Sequence, residues 1–141
     1  MGKKKSTPKI KNVPKESNIN KSKIDDINYP IFCFKYLQDT SIKNSADVDF
    51  FREFLFRLQK LAELGWREIG KSHKHSFGTE NISINELKPK NYPPIMTPEV
   101  RYLTVFRANG DKRPFLGIRE KDIFHVIFIE AQFGDIYNHN P

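Results

Sequence analysis

Apolar residues between Ala46 and Leu64 recur at helical spacing. Val48, Phe51, Leu55, Leu58 and Ala62 repeat in steps of three and four, and Phe54 and Leu61 widen the stripe. Arg52, Glu53, Arg57, Lys60 and Glu63 fill much of the opposite side, so the spacing predicts an amphipathic helix over 46–64. Ser45 can cap its start, and Asp47 and Asp49 suit the positive end of the helix dipole. Gly65 is a natural terminator, after which Trp66 can fold back onto the core. Upstream, Pro30 opens a strand-like run, Ile31 to Gln38.

The C-terminal part alternates in the manner of strands. Val100–Ala108 predicts one strand, and Asn109-Gly110 is a two-residue hairpin signal because both residues accept positive φ. Lys112–Arg119 predicts the return strand, in which Pro114 demands an edge position or a bulge. Ile123–Glu130 is the most apolar run and is expected to be central. Gly134 breaks it before Asp135–His139 closes the chain. Between helix and meander, Ser83 and Glu86 can cap a short helical turn. Pro89, Pro93, Pro94 and Pro98 oppose long regular structure, so 67–99 is expected to be an irregular proline-rich connector. The order strand, helix, connector, three strands predicts a single small α+β domain, an antiparallel sheet ending in a β-meander with a helix on one face.

Charge divides the chain in two. Residues 1–24 carry eight lysines against one acid, Glu16, which accounts for the whole net charge of +7. Residues 25–141 therefore sum to zero, and anion binding by this domain must rest on where its charges cluster. The leader has no aromatic residue and few branched apolar ones, so it is expected to be a disordered tail. Lys3, Lys4 and Lys5 within it are candidates for phosphate attraction; a plain solubilising role is the alternative. No apolar run approaches the length of a membrane span, and no secretory h-region follows the lysines. The lone cysteine, Cys33, makes no internal disulfide and fits a reducing cytoplasm; it reads as a small buried hydrophobe.

Arg107 faces Arg113 across the predicted hairpin, with Lys112 and Arg119 on the return strand. An antiparallel pair can bring such cations to one phosphate, and arginine binds phosphate as a bidentate fork. Tyr137 and His139 lie two apart, so both can face one side of an extended terminus at a sheet end. There an imidazole can move protons and a tyrosine can position a base. His73 and His75 form an H-x-H pair to which Glu80 can add a third metal ligand, although no other spacing supports a metal. His75 fits better as a catalytic base or phosphate contact. His125, in phase with Ile123, Ile127 and Ile129, reads as a hydrogen-bonded core or edge residue. The sequence has no P-loop, dinucleotide fingerprint, serine-hydrolase elbow or zinc-finger spacing.

The segment Arg101–Arg107, the strand bearing Arg113 and Arg119, the run Ile123–Glu130 and the terminal Tyr137-x-His139 together resemble the end of the RelE/YoeB-type ribonuclease toxins. The resemblance covers the C-terminal third and, in outline, the strand and helix at the start of the domain. It implies a small α+β fold and cleavage of messenger RNA, typically on the ribosome, without a metal or other cofactor. It also implies neutralisation by a partner antitoxin. By position it assigns phosphate contact and transition-state stabilisation to Arg107 and Arg119, and the C-terminal aromatic and imidazole roles to Tyr137 and His139. The expected function is therefore a metal-independent endoribonuclease of toxin type, with His139 or His75 moving protons. The expected partners are RNA and an antitoxin, with no membrane. A non-catalytic binding module of similar fold is the alternative, and a metal nuclease through His73, His75 and Glu80 is a third reading. Convergence of His75, Arg107, Arg119, Tyr137 and His139 in one concavity separates them.

Overall fold

A computed structural model describes residues 28–41, 43, 47–108 and 113–139. The lysine-rich leader, Ser45 and the Asn109–Lys112 hairpin tip lie outside the described residues. In chain order the elements are β1 (Ile31–Cys33), α1 (Val48–Lys71), β2 (Glu80–Ser83), β3 (Tyr102–Arg107), β4 (Pro114–Glu120) and β5 (Ile123–Ile129). Short 3-10 turns occupy Asp39–Ser41 and Ile84–Glu86. The strand expected over Ile31–Gln38 is thus limited to three residues.

The helix starts where its cap is strongest. Asp47, rather than Ser45, is the N-cap: its side chain accepts the Phe50 N–H at 3.0 Å. The buried stripe is Phe50, Phe54, Leu58 and Leu61, continued by Trp66 and Ile69. Val48 and Leu55, expected on that stripe, are 68% and 65% exposed. The pairs Phe50-Phe51 and Phe54-Leu55 offer two stripes one residue apart, and packing decides between them: Phe54 meets the sheet residue Phe115 edge-on at 5.1 Å. At Gly65 the helix breaks with φ 85° and ψ 160°, a region open essentially to glycine alone. The helix then resumes in a new direction to Lys71 instead of ending. Trp66 N–H donates to the Asn28 carbonyl at 3.0 Å, and its indole N–H donates to that of Asp122 at 3.2 Å.

The sheet order is β1-β5-β4-β3-β2. The antiparallel meander β3-β4-β5 forms as expected, β2 adds an antiparallel edge, and β1 pairs parallel with β5, so the sheet is mixed. β5 is interior and almost wholly buried, but β4 is the middle strand. Pro114 is therefore not at an edge. It is the first residue of β4, a strand position that tolerates the missing donor. The register of β4 and β5 shifts at Leu116/Gly117. Here Gly117 is obligatory, since a Cβ would sit 1.9 Å from the His125 carbonyl oxygen. The bulge also changes the phase of β5, so that Ile129 faces the helix while His125 and Ile127 face away.

Both sheet faces are covered. On one, α1 packs against Phe106, Phe115, Phe124, Val126 and Ile129. On the other, Ile82, Leu103, Val105, Leu116, Ile127 and Phe128 are roofed by Leu87, Ile136 and Tyr137, with Tyr92, Ile95 and Met96 packed outside. The stretch 67–99 is thus no mere connector. It holds the end of α1, the unexpected strand β2, and the Ser83-capped turn that was expected, and its Leu87, Tyr92, Ile95 and Met96 pack into a second core layer.

Candidate active site

Arg107 ends β3 on the face away from α1. Glu80 pairs with Val105 in the β2–β3 register, placing it diagonally beside Arg107, and the guanidinium Nη2 meets Glu80 Oε2 at 2.8 Å. The second oxygen of Glu80 meets Lys74 Nζ at 3.3 Å. One carboxylate thus fixes Arg107 and tethers the loop 72–79. The Arg107 side chain is only 10% exposed, so this contact acts with little solvent screening.

The C-terminus supplies the other half. After β5 the chain turns through Gly134 and returns as a single antiparallel bridge, Tyr137 opposite Leu87, with Lys88 N–H donating to the Ile136 carbonyl at 2.7 Å. Glu130, completely buried at the end of β5, holds this return. Its Oε2 accepts the N–H groups of Ile136 at 2.9 Å and Tyr137 at 3.3 Å, and its Oε1 forms a short hydrogen bond with His139 Nε2. A buried carboxylate is costly unless so satisfied. The His139 ring lies 4.0 Å from Phe133, stacked on it, and 4.1 Å from Tyr137, tilted by 32°, as the middle of a three-ring column.

The Tyr137 phenol hydrogen-bonds Arg107, joining the two halves. Burial pushes this phenol up to about 12, with help from Glu80 and Glu130 and against the opposing charge of Arg107. His75, in the exposed loop between α1 and β2, is held below the ordinary imidazole value. Partial desolvation leads, followed by the charges of Arg107, Lys74 and His73, while Glu80 opposes them. His75 therefore stays neutral, and able to accept a proton, to lower pH than a free histidine.

Arg107, Tyr137 and His139 thus form one connected network, with His75 in electrostatic reach of Arg107. Arg119 and Arg113 do not join it. Strand alternation puts Arg119 on the helix face, where its guanidinium lies 3.9 Å from the Trp66 ring and its Nε donates to the Lys121 carbonyl at 2.7 Å. Arg113 covers Phe50 at 4.1 Å and bonds Asp47 and the Ala131 carbonyl. Both arginines serve the helix–sheet packing. Lys3, Lys4, Lys5 and Lys112 lie outside the described residues. His73 and His75 stack at 5.3 Å in a loop, not on a strand, and Glu80 is committed to cations. No cluster of three or more metal-ligating side chains occurs among the described residues. His125 is buried as expected, with Nε2 3.2 Å from Glu120 and its ring against Tyr36.

Glu130 and the pairing of Glu80 with Arg107 were not evident from the sequence. A signal existed for Glu130: a single acid closing an otherwise apolar strand must find donors when that strand is buried. For Glu80 the signal was long-range register, which no local pattern carries. Among the described residues no helix is long and apolar enough to cross a membrane. No family model, curated protein or solved structure matches this chain.

Proposed function

We propose that this chain is a metal-independent endoribonuclease of toxin type. The observation that carries the reading is the joining of Arg107, Tyr137 and His139, distant in sequence, by one hydrogen-bond and ring network with a depressed-pKa histidine beside it. Cleavage of RNA needs a base for the 2′-hydroxyl, an acid for the leaving 5′-oxygen and a cation for the charge that develops on phosphorus. His75 takes the 2′-hydroxyl proton as the 2′-oxygen bonds to phosphorus. The phosphorus–5′-oxygen bond breaks, and protonated His139 gives its proton to that oxygen. The products are a 2′,3′-cyclic phosphate and a 5′-hydroxyl end. Glu130 occupies His139 Nε2, leaving Nδ1 for the transfer. Arg107 stabilises the charged transition state, and Tyr137, protonated throughout the working range, orients it. Messenger RNA on the ribosome is the proposed substrate and an antitoxin protein the proposed regulator.

A binding module is the competing reading, favoured by the engagement of Arg107 with Glu80 and of His139 with Glu130. In that reading the network only clamps the C-terminus. Inducible expression in a bacterium separates the two. The intact chain should arrest growth and fragment RNA, while Arg107→Ala and His75→Ala, present at equal soluble levels, should be harmless. A harmless intact chain that is folded and free of inhibitor supports the binding module.

A further inference from the structure

Phe133 is left over by the mechanism above. It is 51% exposed, and unlike the other exposed rings it is stacked on a residue of the network, forming the outer end of the Phe133–His139–Tyr137 column. Its inner face covers His139, and the turn Gln132–Asp135 holds it out from the sheet. A cation is bound to the same turn: Lys88 Nζ donates to the carbonyl of Gly134, the residue that follows Phe133, at 2.5 Å. A flat apolar face on a turn that also carries an ammonium group matches one nucleotide, with the base stacked on the ring and its phosphate reached by the lysine. Stacking of a base on an aromatic face is sequence-tolerant and requires the base to be unpaired.

We infer that Phe133 and Lys88 form a nucleotide-binding subsite in which an unpaired nucleobase stacks on Phe133. The inference rests on the nuclease reading for its catalytic consequence but not for its binding consequence. A base on Phe133 extends the ring column by one layer and so sets the register of the adjoining phosphate against His139 and Arg107. Phe133 is a positioning residue: it acts on substrate placement, not on the reacting atoms.

The test measures both binding and cleavage by the full chain, using a fluorescent single-stranded RNA oligonucleotide, the same oligonucleotide as a duplex, and a set carrying one abasic position moved along the strand. Phe133→Leu keeps the side chain apolar and removes the ring face; Phe133→Tyr restores the face. Single-strand binding should weaken about tenfold in Phe133→Leu, the size of one lost base–aromatic stack, and recover in Phe133→Tyr. KM should rise by the same factor. One abasic position should weaken the wild type to the level of Phe133→Leu and leave Phe133→Leu unaffected. Lys88→Gln should weaken binding and reduce its salt dependence. If the wild type binds RNA in this Phe133-dependent way but cleaves none, the subsite stands and the nuclease reading falls. If it cleaves and Phe133→Leu changes neither binding nor KM, the subsite is overturned while the nuclease reading stands. Equal affinity for duplex and single strand, or no RNA binding at all, also overturns the subsite.

Discussion

Tyr137 and His75 carry opposite displacements from their ordinary acidities, and both have measurable consequences. The Tyr137 phenol is raised to about 12, so the folded state favours its protonated form. Its contribution to stability is complete below the unfolded value near 10 and is lost as pH rises from there through about 12. An alkaline absorbance titration should show one tyrosine ionising near pH 12, coincident with loss of the native circular dichroism signal. A full complement of tyrosines ionising near 10 in the folded protein would contradict the buried Arg107–Tyr137 contact. His75 is displaced downward, so activity that needs its neutral form should persist below pH 6.5 and fall only at lower pH. In a proton NMR titration the His75 midpoint should lie below the ordinary value and move up in Arg107→Gln, because a positive charge that opposes protonation has been removed. An unmoved midpoint would separate His75 from the Arg107 site. Glu130→Gln keeps an oxygen for the two backbone N–H groups but removes the charge facing His139. A catalytic pairing predicts a changed pH–rate profile with the fold retained; a clamp alone predicts lower stability and an unaltered profile.

Two glycines set the geometry of the elements, for different reasons. Gly65→Ala forces a side chain onto a backbone with φ 85° and a Cβ within 3.2 Å of the Asn28 carbonyl oxygen. It should destabilise by about 1–3 kcal/mol in denaturant titration. Gly117→Ala places a Cβ against the backbone at the β4–β5 bulge, where no side-chain rotation relieves it, and should prevent folding or cost more than Gly65→Ala. Much of this architecture was legible locally: the amphipathic helix, the Ser83 cap and the meander follow from periodicity and turn chemistry, whereas Gly65 was expected to end the helix and only kinks it. The illegible parts are those decided by distant partners. Whether Phe54 or Leu55 faces inward depends on the ring surface of Phe115. The phase of Ile129 depends on a bulge set by Gly117, and the pairing of β1 depends on an open side of β5. The site divides the same way. Arg107, Tyr137, His139 and His75 could be chosen by residue type and position, whereas Arg119 was misplaced because its partner, Trp66, belongs to another element.

On the scale of the whole molecule, charge and fold are separate devices. The domain is neutral, and the +7 lies in residues 1–24, before the first described residue. Removing 1–24 should leave the melting temperature unchanged while weakening RNA binding uniformly across sequences and flattening its dependence on salt. The domain's own contribution is a sheet covered on both faces, one by α1 and one by the proline-rich layer, with the C-terminal return sealing the second layer through Tyr137 and Ile136. That return brings the terminal Tyr137 and His139 back to the end of β3. The most direct test of the account is cleavage of a single-stranded RNA by the purified full chain in excess chelator, beside Arg107→Ala and His75→Ala of matched folding. The account predicts cleavage by the intact chain to 2′,3′-cyclic phosphate ends, undiminished by chelator, with losses of about 10²–10⁴-fold in each variant. Cleavage that vanishes with chelator, or that survives both substitutions, would contradict it.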